Sequence, residues 1–566
     1  MCGIFGILNN DNKKEEITTS FLKGKGRGPE RSVLNFYETQ QEDNNIVLGF
    51  HRLAINGYNV DNSEQPFEKK NCILICNGEI YNWKYLLETL LKTENIHYGT
   101  SDCEIILHLY KKYGIEYTYQ VLDGVFSFIL YDQILQKIYV CRDMYGVRPL
   151  FIGMESKSLG QFQYFLGSEM KMFIDLQKDE NSMFITQVKP GSIYTFDIGT
   201  MYKIKDMKCN SFMNSVLYNE NIILDNIRDS LFEAVKKRVD NTDRPIACLL
   251  SGGLDSSLVT GLVSKVLGGP QVQTFSIGMN GSEDLKYARK VADYLGTNHT
   301  SITLEQEDFL NAIEEVIYNT ESYDTTTVRA SVGNWLVSKY IKENSDCKVV
   351  FNGDGSDEVT GGYMYMHCAP NSFDFDKECR KLLDNIHYYD VLRSDRSISS
   401  HGLEARTPFL DRSFVQTYLS IPPDKRFHVN NNKCEKYLLR KAFETLNILP
   451  NEVLWRTKEA FSDGVSDSKK SWYEVVQDYV KEKIYNVKNV DIYIQQKIDY
   501  YKWTKNLPKT LEQLYYREIF HKYYKNADNV IPEFWMPNFV KASDASARTL
   551  DIYKKQMNDE EESTYC

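Results

Sequence analysis

The sequence of 566 residues predicts two domains in tandem, of mixed α/β and α+β class, on three observations. It opens Met1-Cys2-Gly3-Ile4-Phe5-Gly6-Ile7-Leu8, an apolar, strand-like run whose glycines let another backbone come close, where most termini are polar and frayed. Far downstream, Leu250-Ser251-Gly252-Gly253-Leu254-Asp255-Ser256-Ser257 stands between an apolar strand and a helical stripe. The length leaves room for two or more separate cores.

In the first half, the strand-like Ile46-Val47-Leu48-Gly49-Phe50 leads into His51-Arg52-Leu53-Ala54-Ile55, and Cys72-Ile73-Leu74-Ile75-Cys76 leads into Asn77-Gly78-Glu79-Ile80-Tyr81-Asn82. Gly99-Thr100-Ser101-Asp102-Cys103-Glu104 follows. Ser101 and Glu104 have the spacing of a capping box ahead of Ile105, Ile106 and Leu107, so Asp102 is expected in a first helical turn, kept ionised by the helix dipole. At the terminus, the small size of Cys2 permits removal of Met1. That would leave a thiol and a free α-amine of pKa about 7.7–8.0 on one residue, which then holds both nucleophile and base.

As a set these strings resemble the class II glutamine amidotransferases, the N-terminal-nucleophile glutaminases, which carry Cys-Gly-Ile, His-Arg-Leu, Asn-Gly-Glu-Ile-Tyr-Asn and Gly-Ser-Asp-Cys-Glu in this order. The resemblance implies an αββα sandwich over residues 1–206. It also implies that Arg52 holds the glutamine carboxylate with its planar fork, that Glu79 and Asp102 line the amino-acid site, and that Asp102 receives the ammonium. The Asn77 amide and the Gly78 N–H would form an oxyanion hole while Cys2 attacks the γ-amide carbon. One departure is Lys25-Gly26-Arg27-Gly28-Pro29-Glu30, where the family often has Arg-His-Arg-Gly-Pro-Asp.

The second half reads as a doubly wound α/β sheet. Pro245–Leu250 is a buried strand, and Ser257–Leu267 has apolar residues at helical spacing before Gly268-Gly269-Pro270. Val272–Gly278 and His299–Thr303 are further strands, with a helix over Lys286–Gly296 between them. The glycine-rich turn thus aims backbone N–H groups and a helix N-terminus at an anion. It lacks the Gly-Lys-Ser/Thr ending of a Walker loop, so γ-phosphate transfer is not its natural chemistry. After the strand Lys348–Phe351 comes Asn352-Gly353-Asp354-Gly355-Ser356-Asp357-Glu358, a second turn at the carboxyl edge, where open sheets bind ligands.

Ser-Gly-Gly-Leu-Asp-Ser-Ser resembles the PP-loop of ATP pyrophosphatases. Together with Glu321–Ser331, Leu403–Asp411 and Lys458–Gly464 it is similar to the synthetase half of the glutamine-hydrolysing asparagine synthetase family, over residues 207–550. The resemblance implies ATP as co-substrate on Leu249, Ser251, Gly252, Gly253, Asp255, Ser256, Ile277, Asn352 and Gly353. It further implies Mg²⁺ on Asp255 and Asp357, aspartate near Thr326 and Arg329, and Lys458 neutralising the departing phosphates. Here too the chain departs: Asp354 stands where the family has a glutamate tied to adenylation and to the proton of the attacking ammonia.

Composition narrows the partners. A net charge of −11 with no basic patch argues against nucleic acid, and no apolar run is long enough to cross a bilayer. The 12 cysteines show no paired CxxC spacing, and Cys72, Cys76, Cys248 and Cys347 lie on core strands, so reduced thiols and a cytoplasmic location are expected. Partners are therefore small molecules, with a homodimer implied by the family alone. The linker is expected near residues 200–220, and residues 551–566 as a disordered tail. Two alternatives differ in kind: a β-lactam-forming synthetase of the same plan, whose members lack the N-terminal cysteine, and a non-catalytic protein that merely binds glutamine or ATP.

Overall fold

The computed structural model describes all residues except 40–44, 58–63, 93–100, 158–160, 180–181, 199–201, 209–216, 218, 432, 457–465, 467–469 and 551–566. Lys458, Gly99, Thr100, most of the expected linker and the C-terminal tail lie outside the described residues.

The strands β1 (Gly3–Asn10), β2 (Arg31–Tyr37), β3 (Asn45–Arg52), β4 (Phe67–Lys69), β5 (Cys72–Ile80), β6 (Gly124–Asp132), β7 (Lys137–Arg142), β8 (Phe151–Ser156), β9 (Phe162–Gly167), β10 (Met183–Gln187), β11 (Ser192–Asp197) and β12 (Tyr202–Lys208) form two antiparallel sheets. Their orders are β10-β8-β9-β1-β3-β2 and β12-β11-β7-β6-β5-β4. The period of two in β1 explains the stacking. Ile4 and Leu8 point between the sheets, meeting Leu48, Ile75 and Ile129, while Phe5 and Ile7 point outward to Phe21 and Val47. The helix Lys14–Leu22 covers one outer face through Ile17 and Phe21. Helices Trp83–Thr89 and Ile105–Val121 cover the other, against Cys76, Phe126 and Phe128. The expected αββα sandwich is the observed one.

Two local expectations are corrected. Asn77-Gly78-Glu79-Ile80 does not leave the strand but continues β5, paired with β6 from Ser127 back to Gly124. Only glycine fits at 78, because a Cβ there would lie 2.3 Å from the Val125 carbonyl oxygen. The capping box does not form: Ser101 precedes a short 3₁₀ turn, Asp102–Glu104, without a side-chain cap bond. Glu104 is taken instead by Lys69 and by His108, 3.2 Å away.

In the second domain β13 (Ile246–Leu249), β14 (Gln273–Gly278), β15 (Asn298–Thr303), β16 (Val349–Phe351) and β17 (Glu404–Arg406) are all parallel, in the order β15-β14-β13-β16-β17. Both faces are covered, by Ala247, Phe275 and Val350 on one side and Cys248, Val349 and Phe351 on the other, hence the continuous apolar runs of the sequence. The helices Leu254–Leu267 and Glu283–Leu295 follow β13 and β14, the latter stopped by Gly296 in the left-handed region at φ 66°. The chain proceeds outward from β13 and then returns to its other side as β16. The loops after these two strands therefore meet at the switch point. No helix among the described residues is long and apolar enough to cross a membrane.

The domains meet through a buried ionic seam. Arg27 Nη1 donates to Asp395 Oδ1 at 2.7 Å, and Arg396 reaches Glu169 at 2.8 Å and Glu321 at 3.0 Å. Glu321 also accepts from the backbone N–H groups of Met170 and Lys171 at 2.9 Å. Replacing Arg396 by methionine keeps the volume but strips two buried carboxylates of a shared cation, a loss of about 3–5 kcal/mol. Arg396→Met is accordingly expected to melt several degrees below the wild type in a thermal scan. An unchanged melting curve would contradict this role for the seam.

Candidate functional site

Two sites lie on the described chain. At the first, Cys2 stands just before β1, half-buried, its Sγ donating to the Leu53 carbonyl at 3.5 Å. Arg27 Nε donates to the Cys2 carbonyl at 2.9 Å and fixes this end of the strand. Met1 is attached and fully buried, its ammonium donating to the Leu403 carbonyl at 2.9 Å, and burial lowers that amine to about 5. Burial also pushes the Cys2 thiol up, with a smaller push from Cys76 on β5.

The residue after Cys76 is the informative one. Asn77 is 1% exposed, and its side-chain nitrogen has no acceptor. A buried donor left unsatisfied costs about 1–3 kcal/mol, so this nitrogen is a candidate partner for a ligand oxygen. Gly78 and Glu79 continue the same strand, and the Asp102 turn packs on it: Asp102 Oδ2 accepts the Ile80 N–H at 2.7 Å. Glu79 Oε2 accepts from Asn56 Nδ2 at 3.0 Å and from Asn241 Nδ2 at 2.6 Å. Burial, and then the neighbouring Asp102, raise Glu79 well above the usual carboxylate range. Asp102 is also raised by burial, the direction opposite to the helix-dipole effect expected of it, while the Ile80 N–H and Asn241 hold it down. The two desolvated acids crowd together, with the Arg406 guanidinium 3.6 Å from Glu79 Oε2. Arg52 ends β3, one amino group on the Gly57 carbonyl at 3.2 Å. Gly26 faces the second domain, where a Cβ would meet the Ser400 carbonyl oxygen at 3.2 Å.

The second site is a cleft at the carboxyl ends of β13 and β16, lined among others by Leu249, Ser251, Gly253, Ile277, Asn352 and Gly353. Gly252 has φ 76°, and a Cβ on it would lie 2.5 Å from the Ala288 nitrogen. The hydroxyls of Ser251 and Ser256 lie 2.9 Å apart and tie the turn's two ends together. Gly353 packs against Asp255 and Ser256 so closely that a Cβ would sit 2.8 Å from both. Asn352 donates its side-chain N–H to Ser394 at 2.6 Å.

Deeper in the cleft, the Lys436 ammonium lies 2.7 Å from both Asp255 oxygens and 2.6 Å from Asp357 Oδ1. Asp354 is 3.5 Å from Arg393, and its other oxygen is buried without a partner. Burial raises this carboxyl and Arg393 opposes the rise. Thr326 also lines the cleft, its hydroxyl unpartnered.

Arg329, expected near the aspartate with Thr326, is not among the residues that line this cleft. Its guanidinium is held by Glu512 (Nε 2.7 Å) and Asp544 (Nη1 2.7 Å, Nη2 2.8 Å), two acids from far along the chain. One guanidinium lining the cleft belongs to Arg393, which sequence reasoning missed along with Lys436 and Arg456. Arg456 donates to the Gly252 carbonyl at 3.2 Å and so clamps the turn from below. No spacing signal marks these three. Asn241 was missed for the same reason.

Comparison with known proteins agrees with the division into two sites. A family model described as a glutamine amidotransferase domain matches residues 1–204, and one described as asparagine synthase matches residues 226–379 and 370–542. The chain is 41% identical over 589 residues to the asparagine synthetase (glutamine-hydrolysing) of Gallus gallus, covering 99% of this chain and 100% of that protein. It is 41% identical to the protein of that name from Mus musculus and 40% to that from Homo sapiens, each over 583 residues, covering 98% of this chain and 99% of theirs.

The close approach at Gly353 gives a direct test of the second site. Gly353→Ala must separate the two loops, and it is expected to weaken binding of a non-hydrolysable nucleoside triphosphate at least tenfold, about 1.4 kcal/mol, in a calorimetric titration. Unchanged affinity in a folded variant would show that the loops do not jointly hold the nucleotide.

Proposed function

The chain belongs to the family of glutamine-hydrolysing asparagine synthetases, and from that premise we propose how its two sites share the reaction. The enzyme makes L-asparagine from L-aspartate and L-glutamine, using ATP. In the amidotransferase domain, removal of Met1 frees the Cys2 amine to take the thiol's proton. The thiolate attacks the glutamine γ-amide carbon, and the Asn77 amide with the Gly78 N–H stabilises the oxyanion. Arg52 pairs with the substrate carboxylate, while Glu79 and Asp102 receive its ammonium. Ammonia leaves, and water hydrolyses the glutamyl thioester to glutamate.

In the synthetase domain the β-carboxylate of aspartate attacks the α-phosphorus, giving β-aspartyl-AMP and pyrophosphate. Ammonia from the first site then displaces AMP. Ser251, Gly252, Gly253 and Ser256 cradle the phosphates, Leu249, Ile277, Asn352 and Gly353 flank the adenosine, and Thr326 faces aspartate. Arg393, which lines the cleft, pairs with the aspartate carboxylate. Asp354 receives the proton of the attacking ammonia. Lys458 is retained as the phosphate counter-charge.

Mg²⁺ fits this site because Asp255 and Asp357 already converge on one cationic centre, the Lys436 ammonium. Two hard carboxylates plus phosphate oxygens are a donor set that ion accepts. Bound there, Mg²⁺ would neutralise charge on the leaving pyrophosphate. Buried free thiols at Cys72, Cys76, Cys248 and Cys347 support a reducing, cytoplasmic setting, and homodimeric assembly rests on the family.

The observation that carries the amidotransferase half is the Asn77 donor, buried beside the Cys2 strand without an acceptor. Incubation with glutamine, aspartate and Mg·ATP should yield asparagine, AMP, pyrophosphate and glutamate in equal amounts. A ring-closing synthetase would yield pyrophosphate without glutamate, and a mere binding protein would yield neither.

Asp354 permits a sharper test. Asp354→Glu restores the family's longer reach and is expected to keep or raise synthetase activity. Asp354→Ala should lose about two to four powers of ten, as when a general base is removed. Were the alanine variant to form β-aspartyl-AMP and consume ammonia at wild-type rates, Asp354 would have no part in the chemistry.

A further inference from the structure

We infer that Asn241, a side chain of the synthetase domain, completes the glutamine pocket of the other domain by bridging Glu79 and Asp102. The inference rests on the glutamine-site reading above and extends it to a residue outside every motif of the amidotransferase domain.

The geometry is specific. Glu79 and Asp102 are each 4% exposed, and both belong to the first domain. One nitrogen, Asn241 Nδ2, donates to Glu79 Oε2 at 2.6 Å and to Asp102 Oδ2 at 3.3 Å. An amide nitrogen carries two hydrogens, one for each carboxylate. It is also neutral, and this matters to the chemistry. Two desolvated acids side by side need donors to remain ionised, yet a lysine or arginine in that place would cancel the negative charge that the substrate's ammonium is to meet. An amide supplies the hydrogen bonds and leaves the charge in place.

The amide is held rigidly. Asn241 follows the helix Glu220–Asp240, and its carbonyl accepts from Arg406 Nη2 at 2.9 Å. Arg406 also binds the Arg238 carbonyl and pairs with Glu404 through Nε at 3.0 Å and Nη2 at 2.9 Å. Other described groups facing the acids include Asn56 Nδ2, the Ile80 N–H, the Cys103 N–H, which donates to Asp102 Oδ1 at 3.0 Å, and Arg406, whose Nη2 lies 3.6 Å from Glu79 Oε2. Glu404 and Arg148 act on Glu79 from farther away. Among these, only Asn241 reaches both carboxylates within hydrogen-bonding distance. It is therefore a positioning residue, acting on substrate through Glu79 and Asp102, and the pocket is complete only when the domains are docked.

The test uses the full-length enzyme and L-glutamine, with Asn241→Ala and the equal-sized Asn241→Asp, in which an acceptor replaces the donor. KM for glutamine is expected to rise at least tenfold in Asn241→Ala and further in Asn241→Asp. Synthesis from ammonium chloride, which does not enter this pocket, should continue and report that each variant is folded. Hydrogen bonds to ionised carboxylates hold their pKa values down, so removing the donor raises them. The increase in glutamine KM on acidification should consequently begin at higher pH in Asn241→Ala than in the wild type. A residue that merely caps a helix would leave that profile unmoved. A glutamine KM within twofold of wild type, with an unshifted pH profile, in both variants overturns the inference. A wild-type enzyme that makes asparagine from ammonium but hydrolyses no glutamine overturns the glutamine-site reading itself, and the inference with it.

Discussion

Arginines with almost no exposed surface hold the two domains together, and the placement of both sites follows from them. Arg27, Arg148, Arg396 and Arg406 find their acids across or along the domain boundary, in Asp395, Glu169, Glu321, Glu404 and Glu79. Buried ion pairs add little net stability, because desolvation offsets the attraction, but they punish any arrangement that leaves one charge alone. The seam thus specifies how the domains dock more than how tightly they do so. Apolar packing supplies adhesion: Phe5, Phe151 and Phe173 of the first domain share one cluster with Val328, Leu392 and Leu403 of the second.

This docking makes the path between the sites short. Arg406 lies on the edge strand β17, paired with β16, and its carbonyl accepts the Asn352 N–H at 3.1 Å. The same residue's side chain is 3.6 Å from Glu79. One arginine therefore touches the proposed glutamine pocket at one end and the second proposed nucleotide loop at the other. Movement of β17 would disturb both. A nitrogen released in one domain and consumed in the other needs the two sites held in this fixed relation.

Much of this was legible in the sequence because the motifs sit where backbone geometry dictates side-chain position. Ser251 to Ser256 follow a strand and open a helix, and such turns have few conformations. The Asn77-Gly78-Glu79 string was legible as a set, yet its place inside β5 was not, since Asn-Gly ordinarily turns and only the Phe126 strand alongside shows why it does not. The ion pairs of Arg329 were not legible for another reason. It shares a helix face with Thr326, but Glu512 and Asp544 draw its guanidinium away, and nothing local encodes acids that distant in the chain. Lys436, Arg393 and Asn241 escaped notice likewise: each acts through contacts with residues remote in sequence, where no spacing rule applies.

The central claim is that nitrogen is freed at Cys2 and used at a separate cleft, and one pair of assays on Cys2→Ala addresses it. Asparagine formation is measured with glutamine and with ammonium chloride as nitrogen source, for wild type, for Cys2→Ala and for a form whose N-terminus is extended by an uncleaved tag. Cys2→Ala lacks the thiolate, and the tagged form keeps the sulfur but ties its amine in a peptide bond. Both are predicted to lose glutamine-dependent synthesis and to retain synthesis from ammonium at wild-type rate. Retention of glutamine-dependent activity in either form, or loss of both activities together in a folded protein, would contradict the account.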